Sequence, residues 1–276
     1  MMPARALAQR WADSLAAWAI PEDILARAPE SPWGFPTEIF ARSAREAVSG
    51  AEGSSPSRTS ALQALSGGGT VLDVGAGGGA ASLPLAPPAT RIIAVDESGA
   101  MLDAFRGIAD ARSIAYNVVE GTWPDIARRV EVADVAVCHH VLYNVADILP
   151  FLEELHSHAR RRVVIEITGA HPQADLSPLW RELHGIERPE TPVADDVVDL
   201  LRASGRHVDV ERFWRPSRWA HIDRAAQVAF ARRRLCLPAD RDAEIDRLLT
   251  PTDREIYTLW WDPMTDTSDS SNSRTS

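Results

Sequence analysis

The chain has 276 residues, enough at roughly 150 per domain for one large domain with added segments. Its 29 Lys and Arg against 39 Asp and Glu give a formal charge of −10, which argues against a global nucleic-acid or anionic-membrane surface. Two cysteines, Cys138 and Cys236, exclude a disulfide scaffold and a four-cysteine zinc site.

At the N-terminus no apolar run is long enough to span a membrane, and the mixed stretch carrying Arg10 and Asp13 lacks a signal-peptide core. A cytoplasmic protein is expected. Residues 4–20 set Leu7, Trp11, Leu15, Trp18 and Ala19 at spacings of three and four, one apolar face of a helix. A second helix is expected over 36–48. The Gly/Ser/Pro-rich stretch Ser49–Ser60 is expected to be a mobile link or lid hinge. Residues 1–60 would then form a helical cap over a core that starts at 61.

From residue 61 short apolar runs alternate with helical stretches. Strands are predicted at Thr70–Val74, Arg91–Val95, Ser113–Val118, Asp134–Cys138 and Arg162–Ile167, with helices at 60–65, 79–85, 98–108, 123–129 and 147–159. The alternation predicts an α/β fold with a mostly parallel sheet covered on both faces. An irregular excursion over 169–193 carries four prolines, then a helix at 194–204 ends at Gly205. The alternating stretch His207–Trp214 predicts a sixth strand, 220–235 and 240–249 two helices, and Glu255–Trp261 a seventh strand. The Ser/Thr/Asp/Asn-rich end, 263–276, is expected to be a disordered tail.

The run Val71-Leu72-Asp73-Val74-Gly75-Ala76-Gly77-Gly78-Gly79 carries the clearest chemical signal. A buried strand enters a glycine cluster that opens a helix. Gly75 suits the turn, Gly77 the approach of a ligand to the backbone, and Gly79 close helix–strand packing. Asp96, at the end of the second strand, stands where a carboxylate meets ribose hydroxyls, while Ser98 caps the next helix. Absence of Gly-Lys-Ser/Thr excludes a P-loop. Asp73, inside the strand, repels a pyrophosphate but suits an ammonium or sulfonium centre.

These residues resemble the cofactor half of class I S-adenosylmethionine (SAM)-dependent methyltransferases, clearly over about 60–167 and more weakly to 262. The resemblance implies a doubly wound, Rossmann-like, seven-stranded sheet over 61–262, with an N-terminal helical cap and a helical insertion before the last strand. It implies substrate-side insertions at 169–193 and 215–250. By the same resemblance Gly75, Gly77 and Gly79 line the methionine part of SAM, with Asp73 near its amino group. Asp96 would hold the ribose and Met101 would pack near the adenine. Glu120, Gly121, Thr122 and Trp123 would border the adenine. The product would be S-adenosylhomocysteine. The prolines 84, 87 and 88 imply an unusually short first crossover helix.

After the fourth strand, Cys138-His139-His140-Val141-Leu142-Tyr143-Asn144 borders the crevice in which an open α/β sheet binds ligands. His139, His140 and Tyr143 are the catalytic candidates, His139 also standing beside the cofactor by the resemblance. A histidine there suits a general base for a hydroxyl or amine acceptor. Glu166 and His171, at and beyond the fifth strand, are secondary candidates. Adjacent side chains on an extended segment diverge, so no metal site is expected of His139, His140 and Glu166.

Trp11, Trp18, Trp33 and Trp180 are expected to help enclose an aromatic pocket for a small organic substrate. Residues 212–234 hold seven arginines against Asp223 alone, which keeps an RNA or protein methyltransferase as an alternative. A non-catalytic SAM-binding protein and an NAD-dependent oxidoreductase are the remaining alternatives.

Overall fold

The computed structural model describes residues 2–33, 37–50, 53–217 and 222–263, without the side chains of 37–41 and 43. The expected tail, as well as Arg218 and Trp219 of the basic stretch, lies outside the described residues. The N-terminal helices are α1 (Ala4–Ala16), α2 (Glu22–Leu25), α3 (Thr37–Ser49) and α4 (Pro56–Ala64). Then come β1 (Gly69–Val74), β2 (Ala89–Asp96), α5 (Gly99–Ala111), β3 (Tyr116–Glu120), β4 (Ala133–His139), α6 (Ile148–Ser157) and β5 (Ala159–Thr168). The C-terminal part holds α7 (Ser177–His184), α8 (Ala194–Ala203), β6 (Asp209–Arg215), α9 (Arg224–Arg234), α10 (Asp242–Leu248) and β7 (Arg254–Trp261).

The seven strands form one sheet in the order β3-β2-β1-β4-β5-β7-β6. β1 to β5 run parallel, and β7 enters antiparallel between β5 and β6. Val71, Leu72, Val163 and Ile165 are all inaccessible, as strands covered on both faces demand. The doubly wound expectation is met.

One face packs Leu72, Ile93 and Ile165 against α6 and α8, and α1 adds Leu7 and Trp11. Each such buried side chain stabilises the fold by roughly 1.5–3 kcal/mol. The other face packs Val71, Ile92 and Val164 against α4 and α5. A third, smaller core joins α2, α7, α9 and α10 through Ile24, Trp180, Val228 and Ile245. The N-terminal segment therefore contributes to all three cores. Arg10 of α1 also pairs with Asp196 of α8 at 2.9 Å.

Several local expectations change. The link over 49–60 ends early, because Ser55 and Pro56 start α4: the Ser55 hydroxyl accepts from Arg58 N at 3.2 Å, with proline at the first helical position. No α-helix forms over 79–85; Pro84 removes a donor and a single 3-10 turn remains at Leu83–Leu85. The helix expected at 123–129 is likewise only a 3-10 turn at Ala127–Arg129, after Pro124. The third strand sits two to three residues later than expected, at Tyr116–Glu120. Among the described residues no helix is long and apolar enough to cross a membrane.

Candidate functional site

The carboxyl ends of β1, β2, β3 and β4 bring together the glycine turn, Asp96, Glu120 and the two histidines. Gly75 N and Ala76 N both donate to Val95 O, at 2.8 and 3.0 Å, which pins the turn to β2. A Cβ on Gly79 would lie 2.5 Å from Leu83 and 2.7 Å from Phe105, so this glycine serves packing. Gly77, at φ +52°, would place its Cβ in open space with nothing within 4 Å. Here the backbone faces open space that a Cβ would enter.

Asp96 is tied to this turn. Its carboxylate accepts from Gly77 N at 2.8 Å and from Ser98 N at 2.9 Å. Ser98 itself caps α5 through Met101 N at 3.4 Å, as expected. Glu120 is exposed beside Gly99, whose Cβ would lie 3.1 Å from its carboxylate, and Gly121 N donates to Asp96 O. The half-buried Met101 lies on the first turn of α5. Thr122 points toward Glu97 at 3.5 Å. Trp123 departs from its expected position beside an adenine: it is buried in the core, donates to Phe151 O at 3.2 Å, and meets His158 edge-on.

Asp73 is buried, with Oδ2 accepting from Ser82 at 2.5 Å and Oδ1 without a partner among the described residues. Burial raises its carboxyl to about 7, despite the Ser82 hydrogen bond, and the charge of Asp96 pushes the same way. Its folded value thus exceeds the ordinary 3.8, so the native state holds the proton longer than the unfolded chain. The ligand-free protein should therefore lose stability as pH rises from about 4 to about 7, on the order of 4 kcal/mol at most. Urea unfolding at pH 4.5 and 7.5 checks this, and Asp73→Asn should remove that part of the slope. An unchanged slope in the variant would contradict the assignment.

The histidines differ sharply. His139 is turned inward with Nε2 unpartnered among the described residues, and burial lowers its imidazole to about 4. His140 stands at φ +60°, its side chain 41% exposed, with Nε2 3.1 Å from Glu166 Oε1. Tyr143 is buried and donates to Thr168 O at 2.8 Å; burial first, then nearby Asp196, raises its phenol. It supports the loop from beneath.

Glu166, on β5, is buried among polar groups. Its Oε2 accepts from Ser57 of α4, and Oε1 lies 3.5 Å from the Arg215 guanidinium. Burial alone would raise this carboxyl, but the His140 hydrogen bond and the charges of His139, His140 and Arg215 outweigh it and hold it well below the usual range. Sequence reasoning missed Ser57, Ser82 and Arg215. The Ser-Pro helix start at 55–56 was the signal for Ser57; nothing local marks the other two.

The tryptophans expected to line a pocket are mostly buried. Trp11 stacks on Tyr143 at 5.5 Å and donates to Val145 O, and Trp18 stacks on His171 at 3.9 Å. Arg188 lies between Trp18 and Trp180, 5.3 and 5.0 Å from their rings. Trp33 is half exposed. These contacts tie α1 and the 169–193 excursion to Tyr143. The arginine-rich stretch is largely paired: Arg224 with Asp246, Arg232 with Asp242 and Glu30, Arg233 with Glu30, and Arg212 with Asp195.

A sequence model of the family described as a methyltransferase domain matches residues 72–165, from β1 into β5. No curated protein matched the chain. Solved structures with a similar fold include the YcgJ protein of Bacillus subtilis, 15% identical, with 74% of this chain and 97% of that one covered and a TM-score of 0.51. A methyltransferase-like protein of Bacillus halodurans is 14% identical over 75% of this chain and 98% of its own, at a TM-score of 0.53. The MccD protein is 12% identical over 76% and 97%, at 0.51. Residues 72–165 thus carry the sequence pattern of a methyltransferase domain, on a sheet with the fold that these solved structures share.

Proposed function

We propose that the enzyme transfers the SAM methyl group to a small organic acceptor whose nucleophile, a hydroxyl or an amine, carries a proton. SAM supplies an electrophilic methyl group and a neutral leaving group. The remaining work is alignment, exclusion of water and removal of the acceptor proton.

The open cradle at Gly77, closed by Asp96, is the observation that supports the cofactor position. Asp96 holds the ribose hydroxyls, and Gly75, Gly77 and Gly79 shape the backbone that meets the methionine part. The orphaned Asp73 Oδ1 lies in the strand leading into that turn, and as a carboxylate it favours the cofactor's positive charge. Met101, Glu120, Gly121 and Thr122 border the adenine. Of the catalytic candidates His140 alone combines exposure with a fixed orientation, so it takes the acceptor proton. His139 and Tyr143 shape the wall behind it.

A helical cap over 1–60 and the 169–193 excursion enclose the site of the domain over 61–262, which favours a small acceptor over a polymer. Pairing of the arginines with Glu30, Asp242 and Asp246 removes most of the charge an RNA would need. The test is methyl-labelled SAM added to a cell extract with the purified enzyme. Label should appear in a low-mass product that separates from SAM itself. Label confined to RNA or protein would contradict the proposal.

A further inference from the structure

We propose that Glu166 is the positioning residue that makes His140 a general base, an inference that rests on the methyl-transfer reading above. The contact spans two strands: His140 follows β4, and Glu166 lies 26 residues on, within β5. The connection is double. Besides the contact of Nε2 with Oε1 at 3.1 Å, the His140 amide donates to Glu166 O at 2.7 Å. His140 also holds a left-handed backbone, φ +60°, which non-glycine residues seldom adopt.

Glu166 is built to stay ionised. Ser57 donates to one oxygen, and His140 and Arg215 face the other, which leaves a carboxylate that only accepts hydrogen bonds. Nε2 of His140 must then carry its proton toward Glu166. In the neutral ring Nδ1 therefore keeps its lone pair, on a side chain that is 41% exposed. The hydrogen bond on one ring nitrogen thus decides which nitrogen is the base.

The step balances without further reactants. The acceptor lone pair forms a bond to the methyl carbon as the carbon–sulfur bond breaks, and its electron pair returns to sulfur. The acceptor proton passes to His140 Nδ1, the imidazolium is stabilised by Glu166, and solvent later removes the proton. A carboxylate acceptor has no proton to give and would need no such device.

Ser57 gives the cluster a second consequence. It belongs to α4, so the helix that leads into β1 contributes a hydrogen bond to the carboxylate that orients the base.

The test is the tautomer of His140, read from ring nitrogen shifts in the 15N-labelled full-length protein with S-adenosylhomocysteine added and assigned by difference with His140→Gln. The expected result is the Nε2–H form in the wild type and a mixture in Glu166→Gln. Label transfer to the low-mass product separated from SAM should fall about 100-fold in that variant, the lower range for loss of general-base catalysis. Calorimetric binding of S-adenosylhomocysteine should remain within threefold. An Nδ1–H ring in the wild type overturns the proposal, as does a folded Glu166→Gln protein with unchanged tautomer or unchanged transfer. Should Glu166→Gln fail to fold, the wild-type tautomer decides alone. Loss of calorimetric binding in the wild type would instead strike the cofactor reading.

Discussion

Asp96→Ala is expected to weaken S-adenosylhomocysteine binding by about 100-fold or more, with the fold intact. The carboxylate holds Gly77 N at 2.8 Å and Ser98 N at 2.9 Å, and in the proposed complex it also receives the ribose hydroxyls. Hydrogen bonds to a charged group are worth roughly 1.5–3 kcal/mol each, and about 2.7 kcal/mol corresponds to the 100-fold loss. Ser98 still caps α5 in the variant, so the helix should survive. Asp96→Asn should fall between the two, since an amide keeps a single acceptor oxygen. Calorimetry on both variants measures the effect. An affinity within threefold of wild type would remove Asp96 from the site.

Two glycines two residues apart should fail in opposite ways. At Gly79 a Cβ meets Leu83 at 2.5 Å and Phe105 at 2.7 Å, and the backbone has φ +90°. Gly79→Val combines overpacking with left-handed strain, each costing roughly 1–3 kcal/mol, which is a large share of a typical 5–15 kcal/mol stability. The urea midpoint should drop steeply. Gly77 at φ +52° has nothing within 4 Å, so Gly77→Val carries only the backbone strain and fills the cradle. That variant should fold, with its midpoint lowered by the equivalent of about 1–2 kcal/mol, and lose cofactor binding. If Gly77→Val bound normally, the cradle would not be the cofactor site.

The sheet was legible because its strands are covered on both faces. Runs such as Val71–Val74 and Val163–Ile167 are apolar apart from one carboxylate each, Asp73 and Glu166, as buried strands between helices require. The glycine turn and Asp96 were legible because backbone geometry there demands particular residues. Composition misled where it outvoted position. Ser49–Ser60 looks like a linker by content, yet Ser55 and Pro56 form a helix start, and α4 then supplies Ser57 to the site. Residues 79–85 have helical periodicity, but Pro84 denies the donors. Periodicity also fails to say what an apolar face packs against. Trp11 lies on α1 as expected, but the helix ends at Ala16 and Trp18 sits beyond it, and both rings are buried, against Tyr143 and His171, rather than open to a ligand. The Glu166 cluster was the hardest to foresee. Its partners lie 109 and 26 residues away in sequence, and only the sheet order brings them together.

The cofactor site carries the whole account, and binding of S-adenosylhomocysteine, SAM and NAD to the purified chain tests it most directly. Calorimetry should give micromolar binding of both sulfur ligands, none of NAD, and loss of the sulfur ligands in Asp96→Ala. A well-folded protein that bound neither SAM nor S-adenosylhomocysteine, or that preferred NAD, would contradict it.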